Sequence, residues 1–300
     1  MIQPLSAASG FAASSRTFDP FRTLDAGQRR RHLEGYRRHL ERRNGTPDLA
    51  ARTLSRREQA LREIESKSVE WEGEIDPYGF FAHFFDHSAP PAIDARTLWL
   101  LVAAKINEGE SYGVDLELKA FLERGQEDVD PIELQLMLEE QYHSRILVEA
   151  CRTCGIELTL QTPRWGQRWM IHLIQILPER LRWIPVLTGE VLGAHLLKVL
   201  LDHCHLFAAE PEVEARLRFL LGEIWLDEVF HVAFLRARLQ PRAIRMARAM
   251  LPLAMRTLMN GIPELSVLGC DRRELTRRLA SEIEIPPGMD WMEDDQHPPA

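Results

Sequence analysis

Apolar residues recur along this chain at intervals of three and four, the period of helices with one buried face. Alternating β-branched runs of the kind that mark strands are missing. The pattern predicts an arginine-rich helical pair over 26–43 and 50–67, split by Asn44-Gly45-Thr46-Pro47. Residues 75–93 hold Pro77, Gly79, Pro90, Pro91 and four phenylalanines, which reads as an irregular apolar connector. Four long helical segments follow. The first spans 94–123, opened by Asp94 as N-cap, and the second spans 131–154, with Pro131 in its first turn and Gly155 past its end. A shorter stretch, 166–177, stops at Pro178. The third long helix spans 180–207, with a kink expected at Pro185, and the fourth spans 212–239 between Pro211 and Pro241. Helices over 242–260 and 272–283 finish the chain. Short links make the first and second long helices antiparallel neighbours, and likewise the third and fourth.

The expected class is therefore all-α: a four-helix bundle over 94–240 with additional N- and C-terminal helices. A disordered tail is expected over 1–25, an arginine-rich helical extension and connector over 26–93, and C-terminal helices with an acidic tail (Glu293, Asp294, Asp295) over 241–300.

Two sites in this pattern carry chemistry. Glu139-Glu140-Gln141-Tyr142-His143 lies midway along the second long helix, and Asp227-Glu228-Val229-Phe230-His231 midway along the fourth. Each contains Glu-x-x-His, and residues three apart share a helix face, so one carboxylate and one imidazole can reach the same ion. Imidazole with carboxylate suits iron or manganese, whereas thiolate favours zinc or clusters. A bundle site needs a further carboxylate from each remaining helix. Glu190 supplies one, since its face otherwise carries Val186, Gly193, Ala194, Leu197 and Leu201, the two small residues leaving room. On the first helix Glu108 shares its face with Ser111, Asp115 and Lys119. Glu110 shares its face with Trp99, Val102, Ala103, Ile106, Gly113 and Val114, where a carboxylate is costly unless a cation meets it. Glu110 is chosen.

The expected metal ligands are thus Glu110, Glu140, His143, Glu190, Glu228 and His231. Metal-bound imidazoles give their other N–H to a carboxylate. Asp227 is placed to orient His143, and Glu139 to orient His231. Glu117, Leu136, Leu197, Leu221, Ile224 and Leu235 are expected to line the cavity.

These residues resemble the ferritin-like diiron-carboxylate superfamily over about 94–240. The Glu139–His143 segment is similar to the motif of acyl-carrier-protein desaturases. The Asp227–His231 segment is similar to the second motif of those enzymes, of ribonucleotide reductase small subunits and of p-aminobenzoate N-oxygenases. Chain length and Thr188-Gly189-Glu190 look most like the N-oxygenase group. Ile224 stands where that group carries a further histidine, which leaves the simpler four-carboxylate, two-histidine set of desaturases and hydroxylases. The resemblance implies two Fe ions, or a Mn/Fe pair, with O2 as co-substrate. It also implies oxidation of a small-molecule or carrier-bound organic substrate, by N-oxygenation or C–H oxidation, and an external electron donor, a ferredoxin or reductase. Desaturation of a carrier-bound acyl chain and iron storage without turnover are the alternatives. A reductase subunit would need a radical tyrosine near the metal, and Tyr112 points elsewhere.

Composition adjusts this picture in a few places. The net charge of −8 argues against nucleic acid as a partner, although arginines crowd the first quarter of the chain. They are expected on a solvated helical face, with a docking surface for an acidic partner as the sharper reading. No run of eighteen uncharged apolar residues appears, so no membrane span is expected, and the cytoplasm is the default compartment. Cys151-x-x-Cys154 lacks a second pair and is expected to be structural. His195, His203 and His205 fall off the Glu190 face. Met246, Met250, Met255 and Met259 are expected in core packing or at an oligomer seam such as that of a homodimer.

Overall fold

The computed structural model describes residues 16–85, 93–124, 130–158, 165–280, 282–286, 289 and 292. The expectations for residues 1–15, for Pro90 and Pro91, and for the acidic tail lie outside the described residues. In chain order the elements are β1 (Thr17–Phe18), α1 (Ala26–Arg43), β2 (Pro47–Asp48), β3 (Thr53–Leu54), α2 (Ser55–Glu65) and α3 (Pro77–Phe85). Then come α4 (Ala95–Arg124), α5 (Pro131–Thr153), α6 (Trp165–Ile176), α7 (Glu179–Asp202), a 3-10 turn (His203–Phe207) and α8 (Pro211–Arg238). The last elements are α9 (Pro241–Gly261), α10 (Glu264–Val267), α11 (Arg272–Leu279) and β4 (Ile283–Glu284). The chain is predominantly helical. The strands among the described residues form two antiparallel pairs, β1 with β4 and β2 with β3.

Local chemistry sets the helix ends. Asp94 accepts hydrogen bonds from the backbone N–H groups of Arg96 and Thr97 at 2.9 and 3.0 Å, starting α4. Asp130 does the same for Ile132 ahead of Pro131 in α5, and Gly155 ends that helix at φ +76°. Asp25 and Gln28 form a reciprocal capping box at the start of α1. Gly45 has φ +73°, and a Cβ there would come within 2.4 Å of Ser55 Oγ, so the β2–β3 hairpin can fold α2 back only with glycine at this position.

The long helices α4, α5, α7 and α8 pack on one another, α4 with α5, α5 with α8 and α7 with α8. Every residue of α8 from Asp227 to Ala237 is buried, because α1 covers the side that α5 and α7 leave open. A helix apolar on all sides demands neighbours on all sides. By length and composition alone, Leu181–Phe207 is apolar enough to cross a membrane. It includes the helix that carries Glu190, it packs against α8 and α9, and more than half of its most apolar window is buried.

Several boundaries differ from expectation. The segment 16–25, expected in the loose tail, is packed: Phe18, Phe21 and Leu24 are buried, and β1 pairs with β4. The connector contains a helix, α3, whose first turn Asp76 caps through Tyr78 and Gly79 N–H, and Phe80 and Phe84 turn inward. The third long helix tightens into a 3-10 turn after Asp202, and α11 ends at Leu279 before β4. The methionine stripe divides, with Met255 buried and Met246 exposed.

Candidate metal centre

Four helices deliver six side chains to one buried point: Glu110 from α4, Glu140 and His143 from α5, Glu190 from α7, and Glu228 and His231 from α8. Ligand atoms of Glu140, Glu190, Glu228 and His231 lie within 4.8 Å of one another, as do those of Glu110, Glu140 and His143. Glu140 belongs to both groups. Its Oε2 lies 3.3 Å from His143 Nδ1 and its Oε1 2.8 Å from His231 Nδ1. Glu228 Oε1 is 3.4 Å from His143 Nδ1, Glu110 Oε1 is 3.4 Å from the same atom, and Glu190 Oε2 is 3.2 Å from His231 Nδ1. The two imidazole ring centroids stand 5.6 Å apart, their planes inclined at 30°. The layout is two adjoining donor groups with a shared carboxylate.

Each imidazole turns its Nε2 outward. His143 Nε2 is 3.3 Å from Asp227 Oδ2, and His231 Nε2 is 3.0 Å from Glu139 Oε2. An Nε2–H donated to a carboxylate leaves Nδ1 with its lone pair facing the centre, the arrangement a metal-binding histidine requires.

Unmet bonding fits the same reading. His143 Nδ1, Glu110 Oε1 and Glu140 Oε1 are buried without a hydrogen-bond partner, the short separations notwithstanding, because their directions miss one another. Among the described residues no lysine or arginine pairs with the four inner carboxylates. Full ionisation would place four negative charges in a low-dielectric space, which is prohibitive without cations. Burial, aided by Glu140 and Glu190, pushes Glu110 up to about 7. Burial beside Glu190 pushes Glu228 well up, and burial with Glu140 nearby raises Glu190. For Glu140 burial acts upward, but the charges of His143 and His231 outweigh it and hold its carboxyl low. Burial opposes charging both imidazoles, yet the surrounding carboxylates win and raise them well above the ordinary range. Without a cation the cluster balances its charge with protons. Its composition and spacing suit it to hold metal ions instead.

Around this ring lies a second one that the sequence reading missed. Arg57, 6 % exposed, sets Nη2 2.6 and 2.7 Å from the two Asp227 oxygens and 3.2 Å from Glu139 Oε1. His39 Nε2 is 3.1 Å from Asp227 Oδ1, the Tyr36 hydroxyl donates to Glu139 Oε2 at 3.0 Å, and Arg43 Nη2 lies 3.5 Å from Asp227. Burial pushes Asp227 upward, but Arg57 and Arg43 overcome it and hold its carboxyl well below the usual range. His39, Glu139 and Asp227 also have metal-like spacing. The Arg57 guanidinium already supplies the cation there. Arg43 and Arg57, expected on a solvated face, therefore neutralise the two orienting acids. Their signal was periodicity: Arg57 and Leu61 share one face of α2, and His32, Tyr36, His39 and Arg43 share one face of α1.

The remaining expected residues are placed as follows. Leu136, Leu197, Leu221, Ile224 and Leu235 are buried in the core around these helices. Glu117, expected to line the cavity, faces Arg182 of α7 at 3.5 Å. Tyr112 contacts His172, away from the cluster. His195, His203 and His205 bond backbone carbonyls. Cys151 and Cys154 are free buried thiols, and burial pushes Cys154 up to about 12, which disfavours a thiolate metal site.

Gly193 has a visible purpose here. A Cβ at that position would sit 2.5 Å from Glu228 Oε2 and 3.0 Å from its Cδ. Gly193→Ala is expected to displace the Glu228 carboxylate rather than unfold α7. Metal affinity should fall by roughly 10–100-fold, the range for a disturbed ligand environment, with the metal-free melting temperature nearly unchanged. Titration calorimetry and thermal melts check both. No protein-family model matches the chain, and no curated protein or solved structure matches it.

Proposed function

We propose that the chain is a ferritin-like, non-haem diiron oxidoreductase that uses oxygen to oxidise a small organic substrate. The observation that carries this reading is the shared carboxylate: Glu140 faces both imidazole Nδ1 atoms at 3.3 and 2.8 Å, in a ring with orphaned buried ligand atoms. Glu110 and His143 would hold one iron, Glu190, Glu228 and His231 the other, with Glu140 common to both groups. Four carboxylates and two neutral imidazoles balance two ferrous ions, and such a set favours iron or manganese over zinc.

A bound iron pair supplies the electrons and coordination positions for oxygen chemistry. The chain does the rest. Asp227 and Glu139 hold the imidazoles in the tautomer that offers Nδ1 inward. Arg57 and Arg43 keep Asp227 ionised, and Arg57 also pairs with Glu139, whose carboxyl His231 and His39 hold low. The buried core around the site, Leu136, Leu221 and Leu235 included, excludes water, so reactive species meet few competing protons.

The test is oxygen uptake by the anaerobically iron-loaded protein. Uptake stimulated by an organic amine or C–H substrate, with product formed in proportion, is expected. Uptake that ignores substrate and ends in ferric cores would assign the chain to iron storage instead.

Metal binding should also release protons. The raised carboxyls of Glu110, Glu190 and Glu228 and both imidazoliums must give up protons to bind a cation. Protons therefore compete below the raised values, and ferrous affinity should climb between pH 6 and 8. Calorimetry in two buffers of different ionisation enthalpy measures the proton count. Affinity independent of pH across that window would contradict the assignment.

A further inference from the structure

Helix α1 has two opposed faces of different chemistry. Its inner face, with Tyr36 and His39, touches Glu139 and Asp227 directly. Its outer face presents Arg30, Arg31, Arg37, Arg38 and Arg42, all exposed, interrupted by Glu34 and Glu41. Among the described residues Arg30, Arg37, Arg38 and Arg42 form no ion pair. This concentration of positive charge belongs to a chain whose net charge is −8.

The metal centre is equally two-sided. What exposure it has belongs to Glu110 at 15 %, Glu140 and Glu190 at 11 % and Glu228 at 7 %. His143, His231 and Glu139 have none and Asp227 1 %. What solvent contact the centre has is therefore on the carboxylate side. The imidazole side, under α1, is closed to anything with volume, but an electron can cross it. Behind the imidazoles lie packed rings: Tyr36 stands edge-on to His231 at 6.1 Å, and His39 stacks on Phe230 at 3.6 Å. Only the thickness of one helix, ~10 Å, separates those rings from the arginine face.

We propose that the outer face of α1 is the docking surface for an acidic one-electron donor protein, such as an iron–sulfur protein, which reduces the diiron centre through the closed imidazole side. The inference rests on the diiron reading and names the partner of that same site. Each encounter oxidises one donor centre by one electron and reduces one ferric ion to ferrous, so two donors restore the reduced pair. A carrier protein bringing a substrate would need the opposite, carboxylate side.

The probe is an acidic plant-type [2Fe–2S] ferredoxin, with reduction of the ferric-loaded protein followed by stopped-flow absorbance. The rate should fall steeply with added salt. Arg37→Glu with Arg38→Glu should slow it by ~10-fold or more at low salt, leaving iron content and reduction by dithionite unchanged. Arg242→Glu with Arg245→Glu on α9, an equal change of net charge at another exposed site, should leave the ferredoxin rate within twofold. Equal slowing by both pairs, or by neither, would overturn the docking surface. So would an acidic acyl carrier protein that competes with ferredoxin for α1. Failure to take up iron at all would instead sink the diiron reading beneath it.

Discussion

Glu140→Ala should abolish high-affinity binding of both metal ions, whereas Glu110→Ala and Glu190→Ala should each weaken chiefly one. The difference follows from position. Glu140 alone belongs to both donor groups, while Glu110 stands beside His143 and Glu190 beside His231. The loss should exceed the roughly 10–100-fold typical when only an orienting partner is removed. Anaerobic ferrous titration gives the stoichiometry directly. Stabilisation by metal should vanish in parallel, because an ion that binds only the folded state raises its melting temperature by mass action. One tight site surviving in Glu140→Ala would mean that the carboxylate is not shared.

Arg57→Met should produce the largest loss of stability outside the metal ring, about 3–5 kcal/mol, the usual cost of stripping one partner from a buried ion network. Asp227 and Glu139 would remain buried without their principal cation. The pH dependence has a definite sign. The Asp227 carboxyl is depressed in the folded protein, so its stabilisation is present above the ordinary aspartate value and is lost as pH falls through the depressed one. In Arg57→Met both acids would take up protons readily. The deficit relative to the parent should therefore shrink as pH drops from 7 toward 5. Chemical denaturation at several pH values measures this. A deficit under 1 kcal/mol at pH 7 would show the guanidinium to be solvated in practice. Metal affinity should fall as well, because unfixed acids leave both imidazoles free to turn.

What could be read from the chain depended on how local the information was. The long helices were legible because caps and breakers such as Asp94, Pro131, Gly155, Pro211 and Pro241 flank clear helical runs. The inner acids were legible because a carboxylate among Gly113, Val114 and Ile106, or among Gly193, Ala194 and Leu197, breaks an apolar stripe. Arg57 and Tyr36 were not, since their role depends on the Gly45 turn that folds α2 back and on α1 lying across α8. No local pattern states such a pairing. A hint was present in α8, whose unbroken apolar run Val229–Leu235 around His231 requires cover on every side. Residues 16–25 were misread for a related reason: β1 gains its partner, β4, only from the far end of the chain. The Arg182 partner of Glu117 was likewise not legible, because it lies on a different helix.

The most direct measurement is metal content per chain after anaerobic loading with ferrous iron and removal of excess, with absorbance followed as oxygen is admitted. Two irons per chain, falling to none in Glu140→Ala, with a new charge-transfer band on oxidation, are expected. No retained iron, or iron retained equally by the parent and by a chain lacking both His143 and His231, would contradict a metal pair at this centre.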